Sequence, residues 1–128
     1  SGNVMDSLKI QNILLCNKAF KAIVEHPLQI KSDRSTSIQV LNNELNYGLT
    51  YIFHDADSTR TVKLTVRYGN VVISLVDSNN RLEKEFTFDN ETSYQLMGKI
   101  VYCYLRKNKD DYYRGLSDSG YLQWLGIT

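Results

Sequence analysis

Between Ile10 and Val24 the apolar residues Ile10, Ile13, Leu14, Phe20, Ile23 and Val24 recur three and four positions apart. That spacing predicts an amphipathic helix, with Asn12, Lys18, Lys21 and Glu25 on the opposite side. Asp6 or Ser7 is placed to cap its start. Pro27, the only proline, sets its end at or before His26.

From Leu28 the period falls to two. LQI and SIQVL are short strand candidates on either side of the polar KSDRST. Next, Leu45, Tyr47, Leu49, Tyr51 and Phe53 alternate strictly with Asn46, Gly48, Thr50, Ile52 and His54, which predicts a half-buried strand. DADS makes a turn, and TVKLTVRY then puts Val62, Leu64, Val66 and Tyr68 on one face. Gly69-Asn70 fits a two-residue hairpin with glycine first, pairing Tyr68 with Val71, Val66 with Ile73 and Leu64 with Leu75. After DSNNR, LEKEFTF brings Phe86 and Phe88 inward beside Ile73 and Val71.

Asp89 or Asn90 can cap a second helix reaching about Lys107, with Met97, Ile100, Val101, Tyr104 and Leu105 as its apolar stripe. Tyr102 falls on the polar side with Lys99 and Arg106 and reads as exposed. Two short helical pieces follow, near 110–116 and from Ser119. The resulting fold class is α+β: an antiparallel meander of four to five strands, with the N-terminal and C-terminal helices packed on one face. SGNV before Met5 reads as a remnant of expression engineering, which leaves residues 5–128 as one α+β domain.

Composition narrows the function more by exclusion than by assignment. No apolar run approaches about 18 residues, so no membrane span is expected. The 15 basic and 14 acidic residues nearly cancel, so nucleic-acid binding would require a local patch rather than the whole field. Cys16 and Cys103 stand alone, without the spacing of a zinc site or a disulfide framework. They read as reduced, buried residues, and the chain as cytoplasmic or otherwise intracellular.

Catalytic signatures are missing. There is no G-x-S-x-G elbow and no phosphate-binding glycine loop, and His26 and His54 have no identifiable partners. His54, Asp55 and Asp57 in HDAD resemble a cation site, but they lack the glycine and terminal glutamate of a calcium loop and are explained by a turn. The expectation is a non-enzyme with no cofactor and no metal.

The outward row of the meander holds Thr50 and Ile52, then Thr61, Lys63, Thr65 and Arg67, then Val72, Ser74 and Val76, then Glu83 and Glu85. Three of these are apolar residues turned to solvent, a mark of a recognition surface. Tyrosine, present nine times, is favoured in such surfaces. Ile52, Lys63, Arg67 and Val72, together with Tyr112, Tyr113 and Arg114, are the candidate contact residues. Tyr121, Leu122, Trp124 and Leu125 read instead as a terminal lid docked on the domain.

These features point to a non-catalytic protein-binding module of the inhibitor, immunity-type or adaptor kind. Its partner is another protein, or a second copy of the chain in a homodimer. The alternative is a single-stranded nucleic-acid module using Lys63, Arg67 and the basic residues around 106–109, and a small enzyme ranks third.

Overall fold

The computed structural model describes residues 2–26, 36–43, 48–55 and 59–106. Helix α1 (Gly2–Val24) is followed by five strands, β1 (Thr36–Asn43), β2 (Gly48–Asp55), β3 (Thr61–Arg67), β4 (Asn70–Val76) and β5 (Leu82–Phe88). A 3-10 turn (Glu91–Tyr94) then leads into helix α2 (Gln95–Arg106). The strands form one antiparallel sheet in the order β1-β2-β3-β4-β5, so the expected α+β meander is present with five strands. The predicted LQI strand, Leu45, Tyr47 and the whole tail from Lys107 lie outside the described residues.

Both helices pack on the sheet face that carries Tyr51, Phe53, Val62, Leu64, Val66, Val71, Ile73, Leu75 and Phe88, all buried. Alternation puts these side chains on one side, and Cys16, Ala19 and Ile23 of α1 close over them with Met97, Ile100, Val101 and Leu105 of α2. Phe20 stacks on the Tyr51 ring at 4.3 Å between centroids and lies 6.0 Å from Phe53. The Tyr51 hydroxyl donates to Asn17 Oδ1, so a buried phenol is satisfied at the helix–sheet seam. Cys16 is a buried free thiol directed at the Leu49 and Leu64 carbonyls, and burial pushes its pKa up to about 12. A thiol so placed behaves as a small hydrophobe rather than a nucleophile.

Turn chemistry fixes the strand register. Tyr68 (φ +53°) and Gly69 (φ +78°) are both left-handed, the backbone of a type I′ hairpin. The turn is therefore Tyr68-Gly69 and not the expected Gly69-Asn70. Arg67 pairs with Asn70, Val66 with Val71, Leu64 with Ile73 and Val62 with Leu75. The shift is two positions, so every side chain keeps its face apart from Tyr68, which leaves the strand and is 96% exposed. At the next turn the Asp77 carboxylate accepts from the backbone N–H groups of Asn79 and Arg81, both at 2.9 Å. Asn90 caps the following segment as expected, accepting from the Thr92 N–H at 3.0 Å.

Two helical assignments change. Tyr102, expected on a polar face, is fully buried, because α2 is buried on every side from Ile100 to Leu105. A helix enclosed all round has no polar side for Tyr102 to occupy. In α1 the buried line runs through Cys16, Ala19 and Ile23. At 100° per residue, Ile10 and Leu14 lie about 120° and 160° around the helix from Cys16, on the side away from the sheet. They are 58% and 63% exposed, which corrects their placement in the inward stripe. Helix α1 also begins upstream of the expected Asp6 or Ser7 cap, at Gly2.

The two helices meet at a glycine. A Cβ built on Gly98 of α2 would lie 2.3 Å from His26 Cβ, so His26, just past the end of α1, sits directly against the α2 backbone. Burial lowers the His26 pKa below its ordinary 6.5, and the nearby Lys99 ammonium lowers it further. The folded state therefore binds fewer protons than the unfolded chain. Its contribution to stability is present above about pH 6.5 and is lost as the pH falls through the depressed folded value. The melting temperature is expected to fall between pH 7.5 and 5.5, and His26→Gln to make that decline shallower. An equal decline in both proteins would show that other groups set the acid limit.

Candidate protein-binding surfaces

The face of the sheet opposite the helices brings several candidate residues into register. Ile52 pairs with Lys63, Lys63 with Ser74, and Ser74 with Glu85, one row across four strands. Val72 lies in the adjacent row, between Thr65 and Thr87. Arg67 belongs to the row beyond, yet its Nη1 donates to Glu85 Oε1 at 2.9 Å. Since β3 and β5 flank β4, this ion pair crosses β4 over Val72.

That bridge accounts for a correction. Val72 is on the outer face as expected but is only 2% exposed, and Val76 is buried as well, so neither is an apolar contact open to a partner. Ser74 Oγ donates to Glu85 Oε2 at 3.2 Å, and the Thr50 and Thr65 hydroxyls lie 3.4 Å apart. Arg67, Ser74 and Glu85, and Thr50 with Thr65, therefore bond to one another across this face. Ile52 is half-buried, and Lys63 alone among the described candidates is exposed without such a bridge being shown. Tyr112, Tyr113 and Arg114 lie outside the described residues.

Glu83, assigned outward by alternation, behaves differently from Glu85. Leu75 pairs with Lys84 but Val76 pairs with Leu82, a bulge that leaves Glu83 as the extra residue. The bulge lets its carboxylate accept from the Tyr104 hydroxyl of α2 at 2.6 Å. Arg60 lies 5.2 Å from the centroid of the same tyrosine ring and donates to the Tyr104 carbonyl at 3.4 Å. Burial raises the Tyr104 phenol well above its usual range, and the Glu83 bond raises it further, so it stays protonated as a donor. His54 Nδ1 sits 3.2 Å from the Arg60 carbonyl. These contacts tie α2 to the end of the sheet, and no nucleophile–base pair is formed within them. Among the described residues no group of three His, Cys, Asp or Glu is arranged to hold a metal ion.

Open surface is found elsewhere. From Cys16 at Leu49, through Asn17 at Tyr51, to Phe20 at Tyr51 and Phe53, α1 advances along β2 toward Asp55. Followed backward, its first turns pass the Gly48 end of the sheet. The exposed run 4–11 is eight residues, about 12 Å of helix at 1.5 Å per residue, and the half-buried Asn12, Ile13 and Leu15 join it to the domain. Every residue from Val4 to Gln11 is exposed, including Val4, Met5, Leu8 and Ile10. Leu14 continues the Ile10 side.

The second open surface is β1, which pairs only with β2 among the described strands. Ile38 and Val40 point to the helix side, opposite Phe53 and Tyr51, yet are exposed because α1 lies over β2 and β3. Leu41 is exposed on the other face.

Neither surface was marked by periodicity. The α1 overhang was hidden because Ile10 and Leu14 fit the helical spacing whichever side they face. The bare character of β1 was readable from TSIQVLNN, which has no charged residue, whereas LEKEFTF has three. No described helix is long and apolar enough to cross a membrane. Comparison with family models, curated proteins and solved structures finds no match.

Proposed function

We propose that the chain is a non-catalytic module that binds another protein through the overhanging end of α1, as an inhibitor, immunity-type or adaptor protein would. The observation that carries this reading is the exposed pair Ile10 and Leu14 on one side of α1, with Met5 and Leu8 exposed on the opposite side of the same turns. Ile10 and Leu14 lie one turn apart on one side of α1, and large apolar side chains exposed together in this way favour a partner surface. An isolated helix this short would not hold in water, but these turns continue a helix anchored by Cys16, Ala19 and Ile23. They are thus presented preformed, which lowers the ordering cost of binding in a partner's groove.

The nucleic-acid reading has weaker support. Arg67 is committed to Glu85, and the described strand positions on the outer face carry no Phe, Tyr or Trp on which a base could stack.

Affinity capture from the native source is expected to recover a protein in stoichiometric amount. Apolar contact should keep that partner bound when salt is raised. Repeated recovery of no protein would overturn the reading. Single-strand binding that collapses as salt rises would transfer the function to the alternative.

A further inference from the structure

We propose that β1 is a self-pairing edge, through which two copies of the chain join antiparallel about a two-fold axis at Gln39 to form one continuous sheet. This inference is independent of the α1 surface and concerns a different pair of partners.

The two edges of the sheet are built differently. β5 carries Glu83, Lys84 and Glu85 in succession and a bulge against β4, devices that discourage a further strand. β1 has none of them. Thr36–Asn43 contains no charge, glycine or proline, pairs with β2 through eight consecutive positions without a bulge, and is exposed from Ser37 to Asn42. Among the described residues no strand pairs with the outer side of β1, and an edge of alternating N–H and C=O groups is complemented by another extended strand.

The strand that fits this edge is its own copy. A two-fold axis perpendicular to the sheet keeps both helix layers on the same side, so helix-side residues must oppose helix-side residues. Centring the axis on Gln39 sets Ile38 opposite Val40 twice and covers the seven residues from Thr36 to Asn42. Centring it on Val40 instead would oppose Ile38 to Asn42 and leave a single apolar pair. In the Gln39 register the four exposed helix-side residues of the two copies, otherwise uncovered by α1, form one apolar cluster. No charged side chain within the strand repels the second copy, and the net charge of the chain is only +1.

The register makes a specific chemical test available. Directly opposed residues in an antiparallel pair have Cα atoms about 4.5–5.5 Å apart, within the range that a disulfide spans. Gln39→Cys should therefore oxidise to a covalent dimer in the presence of oxidised glutathione. Ser37→Cys alone and Leu41→Cys alone should not, while a mixture of the two should yield the mixed dimer. The native Cys16 and Cys103 are buried and will not compete. All three positions are exposed, so folding is preserved.

Without cross-linking, the full chain should sediment as a dimer at roughly 100 µM. Val40→Lys should be monomeric, while the β5-edge variant Leu82→Lys should remain dimeric. A monomeric wild-type chain at that concentration overturns the proposal. A dimer unmoved by Val40→Lys overturns it too, as does cross-linking of Ser37→Cys alone in preference to Gln39→Cys. Val40→Lys should leave partner capture through α1 intact, so the two readings fail separately.

Discussion

Phe53→Ala is expected to lower the stability of this protein by about 3–5 kcal/mol, the range for a large aromatic removed from a packed core. Phe53 is fully buried, lies between Ile38 and Val62 in the sheet, and packs 6.0 Å from the Phe20 ring of α1. Its removal vacates the seam where α1 meets β2, and no neighbouring strand can move in without breaking its ladder. For a chain of this length the loss corresponds to a melting temperature lower by roughly 10–20 °C. Leu14→Ala provides the contrast. Leu14 follows the same apolar spacing but is largely exposed, so its truncation should stay within about 0.5 kcal/mol. Urea denaturation of both variants measures the difference. Equal losses would mean that α1 is rotated from the orientation described.

The second large effect is one of sign. Gly98→Ala in an unconstrained helix interior would stabilise by about 1 kcal/mol, since alanine is the better helix former. Here the added methyl would meet His26 Cβ at 2.3 Å and Cγ at 2.5 Å, well inside contact distance. A Cβ cannot swing aside as a side-chain tip can, so His26 and the α2 backbone must move apart. The expected result is a loss of about 1–3 kcal/mol. His26→Gly removes both offending atoms, and in that background the same substitution should regain its favourable sign. A double-mutant cycle reports the coupling directly. If Gly98→Ala stabilises the wild-type chain, the close approach of the helices is not as described.

Much of this architecture can be read from the residues. Alternation from Gly48 to Asp55 and from Thr61 to Arg67 marked β2 and β3, because one face of each lies under helices and the other does not. The Asn90 cap and the apolar stripe of α2 were equally plain. The β3–β4 hairpin shows where such reading stops. Gly69-Asn70 and Tyr68-Gly69 both preserve facial parity, and only the left-handed backbone at Tyr68, a residue that seldom adopts it, selects the second.

Glu83 was misplaced for a related reason. A bulge resets alternation locally, and LEKEFTF carries no glycine or proline to signal one. Tyr102 was misplaced because helical spacing identifies the most apolar side but not how many sides are covered. Lys63 and Ile52 stand where alternation put them, whereas Val72 lies beneath an ion pair between strands that do not touch in sequence order. Long-range bridges of that kind leave no periodic trace.

On the proposed function, recognition belongs to the exposed end of α1 and not to the outer sheet face. Partner capture by Ile10→Lys/Leu14→Lys, set beside capture by Lys63→Glu, decides between the two surfaces. All three residues are exposed, so each variant should melt close to the wild-type chain. The helix variant is expected to lose the partner while Lys63→Glu retains it. Retention by the helix variant together with loss by Lys63→Glu would contradict the proposed function.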